Sequence, residues 1–171
     1  MACEIAPATV VTPAPSIEAA PEESVQENAG ESPESASALA QRIRVIEEAL
    51  PAVGSEIRKA HELSSARPDA ALVAARRSLE VLLRSVCEKL PGSPDVKRAS
   101  LFDLVGELER RGLLPKTITQ HLHSVRTLGN IAAHGDSTEV TTDDAHMAVL
   151  AALRTAEWAA GGGGRPPAKE H

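Results

Sequence analysis

Seven apolar side chains, Leu39, Ile43, Ile46, Leu50, Val53, Ile57 and Ala60, recur in alternating steps of four and three. That spacing keeps them on one side of a helix and reads as a heptad-like seam. Pro51 falls inside the seam without the backbone donor a helix interior needs, so a kink or a break into two helices is predicted there. A seam this regular can pair with a second copy of itself or pack on the helices that follow. The run stops short of the three to four heptads that sustain a coiled coil, which favours internal packing.

Further along, Arg67, Pro68 and Asp69 form a start signal: proline suits the first helical position and an acid suits the positive end. Leu72, Ala75, Leu79, Leu82, Leu83, Val86 and Leu90 then mark a strongly apolar helix, ended by Pro91 and Gly92 with Pro94 beyond. Ser100 and Asp103 resemble a capping box, and Leu104, Val105 and Leu108 carry a short helix to about Arg111, stopped by Gly112. Over residues 113–135, Pro115 suits the first helical position and Gly135 the terminus, with Ile118, Leu122, Val125, Gly129 and Ala132 along one face between them. Thr141 and Asp144 look like another cap; Met147, Val149, Leu150 and Leu153 drive a last helix to about Ala160, and the glycines at 161–164 end it. No alternating apolar and polar run bounded by turns suggests a strand. The chain reads as an all-α bundle of about five helices.

Composition adds the ends and the partners. Residues 1–35 hold five prolines, seven Glu and no Lys or Arg, with few large apolar groups. Such a segment buries too little surface to offset the entropy of ordering it, so it is expected to be a disordered acidic tail. The expected organisation is that tail, a helical domain over residues 36–160, and a flexible Gly-rich tail over 161–171. At 171 residues there is room for one such domain. Outside the acidic tail 18 basic and 17 acidic side chains leave a balance of +1, not the strongly basic domain that holds nucleic acid by charge. Phe102 and Trp158 are the only aromatics, which argues against a platform for stacked bases. Cys3 and Cys87 have no metal-site spacing and form no disulfide framework; Cys87 is expected to be a buried thiol. No metal or cofactor is expected. The absence of an 18-residue apolar run or a secretory pattern leads to the expectation of a cytoplasmic chain without membrane spans.

Candidate chemistry concentrates in one place. His123, Arg126, Asn130 and His134 are spaced by three and four, which makes one slightly slanted polar stripe on a face adjacent to the apolar one. These groups can handle protons or phosphates. Asn130 and His134 can equally hydrogen-bond a neighbouring helix, with Gly129 permitting close contact. Arg76 and Glu80 can pair within their own helix or reach the stripe, and Arg126 can pair with Glu80 inside the bundle. Arg76, Arg77 and Arg84 make the most basic surface, read as a solvated helix face ahead of a phosphate site. His121 and His123, two apart, point to different sides of a helix and so make a poor metal pair. No phosphate loop after a strand, no HExxH and no GxSxG is present.

The segments PDAALVAARRSLEVLLRSVCEKL, LFDLVGELERRGLLPKTI and SVRTLGNIAAHG resemble the helical family known as domain of unknown function 4145, over about residues 68–158. The most specific parts are RRSLE at 76–80 and RTLGNIAAH at 126–134. That family is placed near the HEPN superfamily of helical domains, known from toxin–antitoxin, restriction and antiviral systems, so the resemblance implies a HEPN-like bundle. Active HEPN ribonucleases carry an arginine directly before a polar residue, and a histidine a few residues later on one helix. Carried over, the polar residue is Asn130 and the histidine His134, but Gly129 stands at the arginine position and the nearest arginine is Arg126. The preferred reading is a non-catalytic or vestigial helical interaction module with a protein partner or a second copy of itself. The nucleic-acid-related or defence context rests on the resemblance alone. The alternative is a metal-independent endoribonuclease acting on RNA, with His134 as acid/base, Arg126 as phosphate clamp and Asn130 beside them, supported by Arg76, Arg77, Glu80 and His123. A homodimerisation or scaffold domain is a second alternative.

Overall fold

The computed structural model describes residues 33–92, 96–134 and 140–164. Among them are six helices: α1 (Pro33–Ala49), α2 (Pro51–Leu63), α3 (Pro68–Glu88), α4 (Leu101–Arg110), α5 (Lys116–His134) and α6 (Thr142–Ala160). No strand occurs among the described residues, and the fold is all-α. Residues 1–32 of the expected 1–35 tail, the stop at Pro94, the terminus at Gly135 and residues 165–171 of the expected 161–171 tail lie outside the described residues, as does the side chain of His134. The first helix begins at Pro33, slightly ahead of the expected boundary.

Pro51 breaks the seam, which is why there are six helices and not five. Leu50 leaves helical geometry at φ −140°, its N–H closing α1 on Ile46, while its carbonyl accepts from Val53 and Gly54 to open α2. The two helices then fold back closely. A β-carbon at Gly54 would stand 2.3 Å from the Glu47 backbone, so only glycine fits there. Leu39, Ile43, Ile46, Val53, Ile57 and Ala60 are all buried, so the seam packs on the chain's own helices. α2 lies on α3 and α6, and α1 reaches α6.

The centre of the bundle is α3, which touches α2, α4, α5 and α6. Pro68 opens it as expected, and Leu72, Leu79, Leu82 and Leu83 are buried along it. The caps form as their residues predict. Ser100 and Asp103 bond reciprocally at the start of α4, and Thr141 and Asp144 do so at the start of α6. Gly112, at φ +66°, takes the left-handed position after α4, letting Leu113 N–H reach back to the Leu108 carbonyl at 3.0 Å. Pro115 sits one position earlier than expected: its carbonyl accepts the first bond of α5 from Thr119, at 3.0 Å.

The face of α6 differs from the sequence expectation. Val149 and Leu153 are buried, but Met147 is 65% exposed. The buried face is completed by Ala145, Ala148, Ala152 and Ala156, small side chains that leave the phase of a helix poorly marked in a sequence. No helix among the described residues is long and apolar enough to cross a membrane.

Candidate functional site

The two most specific stretches of the sequence meet where α3 crosses α5. Gly129 is the contact point: a β-carbon there would lie 3.0 Å from Cδ of Arg76 and 3.1 Å from its Cβ. The missing side chain lets Arg76 lie across α5. Its Nε donates to Glu80 Oε1 at 3.0 Å, and its Nη1 donates to Asn130 Oδ1. Both alternatives open for Arg76 are therefore realised together, the pair within α3 and the reach to the polar stripe. The Arg76–Glu80 pair is three-quarters buried, with side-chain exposures of 26% and 27%. A charged donor held on two acceptors in such a setting is a strong local tie.

Beside this clasp lies an open cleft of about 490 Å³. Val73, Arg76, Arg77, Glu80, Val81 and Arg84 line it from α3, and Gly129 and Ala133 from α5. Its arginines are not the simple solvated face that their spacing suggested. Arg84 donates from Nε and Nη2 to the carbonyls of Val96 and Ala99, each at 3.1 Å, tying the segment ahead of α4 to α3. Arg77, largely exposed, reaches Glu56 of α2 at 3.4 Å.

Arg126 does not join them. Glu80, its candidate partner, is taken by Arg76. The Arg126 guanidinium instead lies 5.6 Å from the ring centroid of Phe102 on α4, a cation–π contact, and its buried Nε has no hydrogen-bond partner among the described residues. His123 stands nearby, 3.7 Å from Glu109 of α4. His121 faces the other way, toward α6, so the two histidines diverge as their spacing required. His134 lies eight positions after Arg126 on the helix, roughly 12 Å along the axis and 80° around it. The stripe thus divides: Asn130 belongs to the α3 clasp, Arg126 and His123 to the α4 side.

Phe102, Glu109 and Glu56 are partners that the sequence reading did not select. Phe102 alone left a trace, as an aromatic off the apolar face set by Leu101, Leu104, Val105 and Leu108. Cys87 is fully buried, and burial pushes its pKa up, so it stays a packed thiol and not a nucleophile.

Fold and site together define an all-α domain whose polar residues knit helices to one another beside a shallow basic cleft. The family model described as domain of unknown function (DUF4145) matches residues 58–154, more than half of the 171-residue chain, and the chain belongs to that family. The match runs from within α2 into α6 and so includes both halves of the clasp. No curated protein and no solved structure matches the chain significantly.

Proposed function

We propose that this domain is a non-catalytic helical interaction module, of the HEPN-like kind its sequence resembles, working with a protein partner in a nucleic-acid-related or defence setting. The observation that carries the reading is the occupation of Arg76 by Glu80 and Asn130. A phosphate clamp needs a guanidinium edge that is free to turn to its substrate, with a proton-transferring group in reach. Here the stripe's amide is tied to an arginine that also neutralises a carboxylate, and Arg126 rests on Phe102. These are the contacts of a structural tie. Leu39, Ile43, Ile46, Val53, Ile57 and Ala60 are buried, which supports internal packing of the seam ahead of self-pairing through it.

The test is incubation of the purified chain with single-stranded RNA in EDTA. The expected result is intact RNA at all protein concentrations. Cleavage that disappears in His134→Ala would overturn the reading in favour of a metal-independent ribonuclease.

A further inference from the structure

On the side of α5 opposite the α4 contact, a second groove of about 170 Å³ runs between α5 and α6. From α5 it takes His121, Ser124 and Leu128, and from α6 Met147, Leu150 and Arg154, both sets in steps of three and four. Each set therefore forms a ridge about 10 Å long, and two such ridges leave a furrow that a third helix fills. Several features make this furrow unlike an ordinary surface crease. Met147 is 65% exposed, the most exposed large apolar side chain described, and a flexible thioether adapts to varied apolar partners. Leu128 and Leu150 are packed on the core yet still open to the groove. Nδ1 of His121 is buried with no hydrogen-bond partner among the described residues, a polar atom still to be satisfied. Among the described residues the charge of the lining is one-sided: Arg154 is exposed and no Asp or Glu lines the groove.

We infer that the α5–α6 groove docks an amphipathic helix of a partner protein, with apolar residues over Met147, Leu128 and Leu150 and a carboxylate directed to Arg154. The one-sided charge selects this occupant. Among the described residues, a second copy of the same groove would bring Arg154 to a lining without acid, whereas an acidic helix satisfies it. The inference rests on the reading of the domain as an interaction module and gives that module its surface and the chemistry of its partner.

A phage-displayed library of helix-forming peptides of about 16 residues, long enough to be helical when bound, is selected on the full chain and counter-selected on Met147→Asp. Enriched peptides are expected to carry apolar residues at i, i+3 or i+4 and i+7, flanked by Asp or Glu. Their affinity should fall about thirtyfold or more in Met147→Asp, as for a central interface anchor. It should fall about tenfold in Arg154→Glu and return when the peptide acid is changed to Lys, because like charges repel across an interface. Both positions are exposed, so thermal melts should match the parent; Ser124→Arg, also exposed, blocks the groove independently if either variant misfolds. Failure to enrich any peptide dependent on Met147 or Ser124 overturns the inference, as does enrichment of basic peptides. Light scattering that shows a dimer dissolved by Met147→Asp also overturns it, because the occupant is then a second copy. RNA cleavage would strike the module reading alone and is read from a different assay.

Discussion

At the residue scale, two glycines show how one missing methyl group is worth opposite things. Gly106 lies in α4 with nothing within 4 Å of a built β-carbon, so Gly106→Ala should stabilise the fold by about 0.5–1 kcal/mol through chain entropy alone. Gly129→Ala gains the same helix propensity but drives a methyl into Arg76, whose Cβ at 3.1 Å is fixed on α3 and cannot swing away. Overpacking of that kind costs about 1–3 kcal/mol, and the hydrogen bond to Asn130 is strained with it, so the variant should be destabilised. Urea midpoints of the two variants check the contrast; equal stabilisation would mean that Arg76 does not lie across α5. The Arg76–Glu80 pair was legible because four residues of helix bring two side chains together. The bond from Arg76 to Asn130, 54 residues further along, was only one of several possibilities until the crossing of α3 and α5 placed them.

At the element scale the local rules held well. Two reciprocal caps, a proline break and glycine terminators are written in short strings and were readable there, because each concerns a backbone group satisfied within a turn. The cap of α4 gives a pH signature. Ser100's hydroxyl and backbone N–H hold the Asp103 carboxyl below the usual carboxylate range. A group with a lowered folded pKa leaves the unfolded chain binding more protons, so stability rises with pH across the window between the two values. The contribution should be complete above about pH 5 and lost as the pH falls through the lowered value of Asp103. Denaturation midpoints from pH 2 to 6 should show that slope in the parent and a flatter one in Asp103→Asn. Ser100→Ala should cost about 1 kcal/mol at neutral pH. The phase of α6 was not legible in this way. Its buried side is mostly alanine, and a sequence of small residues does not say which of them face inward.

At the scale of the whole molecule, burial outweighs charge. Arg42 of α1 grips Glu157 of α6 with two bonds, at 2.8 and 2.9 Å, across 115 residues of sequence. Both side chains remain more than a third exposed, and such surface pairs contribute at most about 1 kcal/mol. Leu153, one turn away and fully buried, should cost about 2–5 kcal/mol when cut to Ala, since the cavity adds to the lost transfer energy. Chemical denaturation of Glu157→Gln beside Leu153→Ala should separate the two by at least a factor of two. The amino-acid order by itself determined the helices, their starts and stops, the seam and the kinship, because those depend on spacing and on backbone satisfaction within a few residues. Which helix lies at the centre, that Arg126 meets Phe102 while Arg76 takes Asn130, and that an apolar furrow lined by Arg154 opens between α5 and α6, only the tertiary structure decided. Contacts between distant segments depend on crossing geometry, and no local pattern encodes that.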